Sequence, residues 1–202
     1  MLSELTLNEA VGLLRQSGVI AFPTETSYGI GCRAYDSAAV ARIVAAKGRP
    51  DGKPLPILLP DKAYLANHGM ETPLMALAER FWPGALTLVV PAFPGLPSQV
   101  TAGTNMVGVR VSSHPVANQL VQALGEPIVG TSANLTGRPA AYTSSDLLSS
   151  GLDGLDGFLN GETSGRGASS VVGLVDGKLS FFRDGPISRS DIESVWKAAR
   201  RH

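Results

Sequence analysis

The sequence predicts an α/β domain built on a mixed sheet, and three observations carry that expectation. Short apolar runs of strand character alternate irregularly with segments of helical period. Near the C-terminal end, Asp176-Gly177 separates two apolar runs as a hairpin turn does, so antiparallel pairing must coexist with crossover connections. No internal repeat and no dividing linker is visible, and a soft prior of about 150 residues per domain favours one domain over residues 1–202.

Each element has a local reason. Thr6-Leu7-Asn8-Glu9 has the form of a capping box, so a helix is expected from there to about Ser17, with Gly18 ending it. Val19 to Phe22 reads as a buried strand closed by Pro23, and Tyr28 to Cys32 as a second strand. Asp36 caps a helix of small apolar residues from Ala38 to Ala46, and Leu55 to Leu59 is a strand bounded by prolines. Thr72 to Phe81 is expected to be helical, Ala85 to Val90 and Met106 to Val111 to be strands. Helix Pro115 to Leu124 leads to strand Pro127 to Gly130. A shorter helix is expected over Ser144 to Ser150, and one short strand over Gly157 to Asn160. Ser170 to Val175 and Leu179 to Phe182 form the closing hairpin, and Ser190 with Glu193 reads as a second capping box for the last helix. Residues 139–165 hold four acids and no Lys or Arg, so a mobile acidic loop is expected there.

Composition narrows the function. A chain that is 44% apolar and 17% charged can bury a real core, and its long uncharged stretches, such as Phe81 to Met106, are broken by Pro and Gly. No membrane span is therefore expected. The 17 basic and 17 acidic residues balance, which excludes a general basic coat for nucleic acid but not a local patch. The single cysteine, Cys32, and an acidic N-terminal segment without signal-peptide character predict a cytoplasmic protein. Cys32 itself reads as a buried, inert thiol rather than a nucleophile. With 23 glycines and 14 prolines, many loops must turn sharply or approach a ligand.

Several motifs fail. Gly29-Ile30-Gly31-Cys32-Arg33-Ala34 has dinucleotide-site spacing, but its glycines fall within a predicted strand. Gly130-Thr131-Ser132-Ala133-Asn134 lacks the last glycine of a nucleophile elbow. His68, His114 and His202 read as surface residues, so a serine hydrolase lacks its base and a protein-bound transition metal lacks its ligands. No P-loop is present.

Three polar segments at predicted element ends survive: Pro23 to Gly29, Lys47 to Lys53, and Gly130 to Asn134. Lys47 and Arg49 flank a glycine and precede Pro50, and two cations held so close suit a polyphosphate or a carboxylate. Ser132 and Asn134 are short hydrogen-bonders able to orient a phosphate or sugar. The blander alternatives are a complement to the helix dipole for the cations and turn capping for Ser132 and Asn134. Residue pattern alone leads to an anion-binding α/β domain.

These motifs, in this order, resemble the YrdC family, the threonylcarbamoyl-AMP synthases. The resemblance rests on Pro23-Thr24-Glu25-Thr26-x-Tyr28-Gly29, Lys47-x-Arg49 and Ser132-x-Asn134. It extends to Phe81-Trp82-Pro83-Gly84-x-Leu86-Thr87, Val109-Arg110-Val111 with His114-Pro115, Ala168 to Val172, and Phe182 to Ile187. It covers nearly the whole chain, and the length resembles the short form without an added C-terminal domain. The family implies a twisted mixed sheet flanked by helices around an open concave cleft. It implies formation of threonylcarbamoyl-adenylate and pyrophosphate from L-threonine, bicarbonate and ATP, for modification of tRNA together with partner proteins.

Residue roles follow from the resemblance alone. It implies nucleotide contacts by Lys47, Arg49 and Arg183, with Lys47 and Arg49 as the catalytic cations, and orientation of the nucleotide by Ser132 and Asn134. Asp51 and the backbone near Ala140 are implied on the adenosine side. Thr24, Arg110, Ser169 and the backbone of Gly130 are implied to hold threonine, with Arg110 on its carboxylate and Thr26 and Tyr28 as pocket walls. Magnesium is implied with the triphosphate. Some longer members place a histidine where this chain has Leu58. Three readings compete with this one: an RNA-binding module with weak RNA affinity, a relative with a different acceptor, and a phosphosugar enzyme on a similar fold, for which the acidic metal cluster is missing.

Overall fold

The computed structural model describes residues 2–48, 52–69, 73–165 and 167–200. In chain order the elements are α1 (Leu7–Arg15), β1 (Ile20–Pro23), β2 (Tyr28–Gly31), α2 (Ser37–Lys47), β3 (Ile57–Leu58), α3 (Ala63–Asn67), α4 (Leu74–Phe81), β4 (Leu86–Pro91) and α5 (Ser98–Thr101). They continue as β5 (Met106–Arg110), α6 (Pro115–Leu124), β6 (Ile128–Val129), β7 (Thr131–Ser132), α7 (Ser144–Leu148), β8 (Gly157–Phe158), β9 (Ser170–Val175), β10 (Lys178–Arg183) and α8 (Arg189–Ala199).

The pairing is mixed, as expected, but it divides into two sheets. One has the order β7-β2-β1-β8 and the other β10-β9-β4-β5-β3-β6. β1 runs parallel to β8, β3 to β5 and β4 to β9, while the remaining neighbours are antiparallel. The sheets meet where Arg33 bridges Ile128 and the Val129 amide donates to the Cys32 carbonyl at 2.8 Å.

Strand β1 is buried on both faces, which explains its unbroken apolar run. Val19 and Ala21 join the large core with Tyr28, Ile30 and Cys32, whereas Ile20 and Phe22 face a smaller core formed with Leu14 of α1 and Leu120 of α6. The capping box at Thr6 forms in full, and α6 occupies the predicted residues. The closing hairpin turns through Asp176 (φ 50°) and Gly177 (φ 71°), as a tight two-residue turn requires.

Several element ends differ from those the sequence predicts. Helix α1 stops at Arg15, because Ser17, not Gly18, takes the left-handed position (φ 63°). The Gly18 amide then donates to the Leu13 carbonyl at 2.8 Å and closes the helix end. The last helix is capped two residues earlier than expected: Ser188 accepts the Asp191 amide, so Ser190 and Glu193 lie inside α8. The strand at Leu55–Leu59 shrinks to β3 because Pro56 supplies no N–H on one side. The short helices α3 and α5 fall in segments to which the sequence assigned no element. Residues 139–165 are not one open acidic loop. Asp146 completes the cap of α7, and Asp156 accepts the Val19 amide at 2.7 Å and an Arg42 guanidinium at 2.9 Å. Burial works to raise the Asp156 carboxyl, yet the Arg42 and Val19 hydrogen bonds hold it below its ordinary value.

The glycines at 29 and 31 lie within or beside paired strand β2, so no glycine-rich turn precedes a helix and the dinucleotide reading is excluded. Cys32 is fully buried, and burial pushes its thiol up to about 12, consistent with an inert core residue. His114 caps α6 by accepting the Val116 amide, and His68 stacks on Tyr64 and lies tilted against Phe93. His202 lies outside the described residues.

Candidate functional site

A cleft of about 650 Å³ opens where ends of strands from both sheets converge. Thr24, Thr26 and Tyr28 line it from the β1–β2 hairpin, Arg110 from β5, Gly130 and Ser132 from the chain around β7, Ser169 from just before β9 and Arg183 from β10. Eight of the residues expected at the site thus share one cavity.

The hairpin end is fixed by its own hydroxyls. The Thr24 hydroxyl donates to the Ser27 carbonyl at 2.7 Å and lies 2.9 Å from the Thr26 hydroxyl, while accepting the amides of Thr26 and Ser27. Both threonines are buried. Tyr28 is fully buried; its hydroxyl donates to the Gly161 carbonyl at 2.8 Å, anchoring segment 160–164 beside the hairpin. The Ser164 hydroxyl completes the anchor on the Glu25 carbonyl.

Arg110 was expected to await a carboxylate, and the structure supplies an internal one. Its Nη1 lies 2.6 Å from Glu25 Oε1, with side chains only 8% and 12% exposed. The Ser112 hydroxyl donates to Glu25 Oε2. Burial draws the Arg110 guanidinium below its ordinary value, against the opposing pull of Glu25.

On the facing side, Ser169 joins two elements. Its hydroxyl lies 2.8 Å from that of Thr87 in β4, and Arg183 donates through Nε to the Ser169 carbonyl at 2.8 Å and through Nη2 to its Oγ at 3.0 Å. Gly185 permits this close approach: a Cβ there would overlap the backbone of Ser169 and Ser170. Desolvation, then the positive charge of Arg110, lowers the Arg183 guanidinium. Two mutually repelling cations in one cleft make a favourable seat for an anion.

The Lys47 end is organised differently. Lys47 is 2% exposed, and its ammonium donates to the carbonyls of Ser132 and Asn134 (2.8 Å to the latter) and to Asn134 Oδ1 at 3.3 Å. It therefore braces the loop after β7 and does not line the cleft. Asn134 Oδ1 accepts from the Ser132 hydroxyl at 2.6 Å, while its amide nitrogen donates to the Leu135 and Arg138 carbonyls. Ala140 is half-buried beside this loop, next to Ala141, whose amide donates to the Ala133 carbonyl. Arg49 and Asp51 lie outside the described residues. The described cations at the cleft are thus Arg110 and Arg183. Sequence reasoning gave Glu25, Ser112 and Thr87 no individual role; the adjacent acid and hydroxyls of the Pro23–Gly29 segment were the signal for Glu25.

Among the described residues, no nucleophile–base pair lines this cleft. Its chemistry is positioning and charge neutralisation by guanidinium groups and short hydroxyls.

The Sua5/YciO/YrdC family model, described as telomere recombination, matches residues 12–185. Threonylcarbamoyl-AMP synthase of Bacillus subtilis is 41% identical over 192 residues, covering 93% of this chain and 55% of that protein. The enzyme of the same name from Stenotrophomonas maltophilia is 40% identical over 168 residues, covering 81% of this chain and 90% of its own. The crystal structure of P. abyssi Sua5 complexed with L-threonine superposes with a TM-score of 0.87 at 35% identity, covering 94% of this chain and 56% of that one. The chain therefore spans just over half of two of these relatives and nearly all of the third. With the matched segment running from α1 to the Arg183–Gly185 turn that closes the cleft, the chain belongs to the Sua5/YciO/YrdC family.

Proposed function

We propose that the protein is a threonylcarbamoyl-AMP synthase, joining L-threonine, bicarbonate and ATP into threonylcarbamoyl-adenylate and pyrophosphate. The observation that carries this reading is the pairing of two cleft guanidiniums, Arg110 and Arg183, with the buried Thr24–Thr26 and Thr87–Ser169 hydroxyl pairs. The related P. abyssi Sua5 was solved with L-threonine, at 35% identity to this chain.

In this reading the threonine carboxylate is held near Arg110, with Thr24, Ser169 and the backbone of Gly130 around the rest of the amino acid. The neutral amine combines with bicarbonate to give a carbamate and water. A carbamate oxygen then attacks the α-phosphorus of ATP, and pyrophosphate leaves. Arg183 faces the phosphates from β10. Lys47 sets the Ser132–Asn134 loop on which the nucleotide rests, and Arg49, Asp51 and Ala140 complete the nucleotide side. Magnesium arrives as part of the ATP substrate, coordinated mainly by phosphate and water. No group of three or more metal-ligating side chains occurs among the described residues. Charge neutralisation and alignment, rather than a protein nucleophile, supply the acceleration. The product is consumed by partner proteins that transfer the threonylcarbamoyl group to tRNA in the cytosol. No helix among the described residues is long and apolar enough to cross a membrane.

The test is incorporation of radiolabelled bicarbonate with ATP and each amino acid in turn. Label should enter an adenylate only with threonine, with one pyrophosphate released per adenylate. Pyrophosphate release that ignores the amino acid, or no incorporation with threonine, would refute the assignment.

A further inference from the structure

The proposed reaction needs Arg110 to present its guanidinium to the threonine carboxylate, and the inference here rests on that reading. An arginine side chain is long and flexible, and ordering it only when a ligand arrives costs affinity. In this fold it is ordered in advance. We propose that Glu25, locked by Ser112, is a positioning residue: it stands behind Arg110, meets no substrate, and sets the direction in which the guanidinium offers its free donors to the amino acid.

Arg110 is part of the cleft wall and Glu25 is not. Glu25 Oε1 lies 2.6 Å from Arg110 Nη1, and among the described residues it is the one ion-pair partner of that guanidinium. The second oxygen, Oε2, accepts the hydroxyl of the buried Ser112. Arg110 and Ser112 are two residues apart on the chain leaving β5, so one carboxylate ties both to the β1–β2 hairpin. Ser112 is held in turn by the start of α6. Its hydroxyl accepts the His114 amide at 3.2 Å, and its carbonyl accepts the Asn118 side-chain amide at 3.2 Å. The main chain of Glu25 is fixed by the Ser164 hydroxyl on its carbonyl. An anchored path therefore runs from α6 through Ser112 and Glu25 to the guanidinium.

A buried ion pair adds little net stability, because desolvating both charges offsets their attraction. What it imposes is direction. A guanidinium carries five N–H donors, and a contact through Nη1 leaves others for a ligand. Glu25 also settles a local conflict. Arg183 lines the same cleft, and burial, then the charge of Arg110, lowers its guanidinium. Without a counter-charge behind it, Arg110 would swing away from Arg183; Glu25 holds it in place. Because Glu25 acts through Arg110, its loss should tell on threonine and not on ATP.

The experiment is steady-state formation of labelled adenylate by the full chain, with threonine and ATP varied separately. Glu25→Gln keeps the side-chain length and removes the charge. It should raise the KM for threonine about 10-fold, with kcat and the KM for ATP changed less than about 2-fold. Glu25→Asp, which restores the charge, should recover part of that loss. In an Arg110→Gln protein, Glu25→Gln should leave the residual threonine KM where it is, since no guanidinium remains to be aimed. An unchanged threonine KM in folded Glu25→Gln would overturn the proposal. So would a lower one, which would make Glu25 a rival of the substrate for Arg110. A parallel rise in both KM values would reduce Glu25 to a support of the fold and overturn it as well. Should Glu25→Gln fail to fold, Ser112→Ala leaves the ion pair in place and is read in the same way: a rise of about 3-fold confined to threonine sustains the proposal, and no rise overturns it. A parent protein that forms no labelled adenylate with threonine would refute the reaction itself, and the positioning role with it.

Discussion

The two ends of the cleft are charged in opposite styles. At the Arg110 end, guanidiniums from β5 and β10 face the cavity and are held by Glu25 and Ser169, with donors left over. At the Lys47 end, the ammonium is turned into the protein and spent on backbone carbonyls of the Ser132–Asn134 loop. The contrast teaches that a basic residue beside a cleft can act as a recognition group or as a brace. Only the chemistry of its partners distinguishes them. A carboxylate partner can share its cation with a ligand, whereas a set of carbonyls fixes loop geometry and exchanges less readily.

The strongest way to break this comparison is at Arg110. Arg110→Ala strips the buried Glu25 of its counter-ion and should cost about 3–5 kcal/mol of stability. In the folded remainder it should chiefly raise the threonine requirement. Combining Arg110→Gln with Glu25→Gln should recover much of the lost stability but not threonine binding, which denaturant titration and calorimetry would reveal. Recovery of neither would mean that the two side chains are not energetically coupled.

Lys47→Ala tests the brace. Losing a buried charged donor to several acceptors should cost about 2–3 kcal/mol and lower pyrophosphate release by about 100-fold, with the threonine dependence little changed. Undiminished turnover in a folded Lys47→Ala protein would remove both the bracing and the nucleotide role.

Smaller effects sharpen the facing wall. Gly185→Ala forces a Cβ into the backbone of Ser169 and Ser170 and should cost about 1–3 kcal/mol. Ser169→Ala removes the link between Thr87 and Arg183 at a cost of about 1 kcal/mol. Both should raise the KM for threonine; if only thermal stability falls, that wall supports the fold without touching substrate.

The last effect is a slope confined to alkaline pH. Burial raises the Cys32 thiol from an ordinary value of 9.0 to about 12. Between those values the unfolded chain has released the proton and the folded one has not, so stability falls as pH rises. Cys32→Ala should flatten this part of the stability profile relative to the parent. Identical slopes in the two proteins would mean that Cys32 is not the group responsible.

Local structure is legible in the sequence where a few neighbouring residues suffice. The Thr6 box, the Pro115 start of α6 and the Asp176-Gly177 turn need no distant partner. Boundaries moved where a partner intervenes. β3 and β6 keep only the residues that their neighbours can pair, and the division into two sheets depends on contacts far apart in the chain. Ser188 replaced Ser190 as a cap because the two serines are equivalent until the helix axis is known. At the cleft, residue types were legible but their orientation was not. Whether Lys47 points into the cavity or into the Ser132 loop is decided by where β7 lies, and pairing Glu25 with Arg110 requires β5 to reach the hairpin.

The order of strands has a consequence for synthesis. The four-stranded sheet has all its members once Phe158 has emerged, but the six-stranded one waits for β9 and β10. Until Ser170–Gly173 aligns with Leu86–Val89, the wall carrying Ser169 and Arg183 does not exist. A half-made chain still at the ribosome can thus bury its first core while remaining blind to substrate, and competence arrives only with the last hairpin.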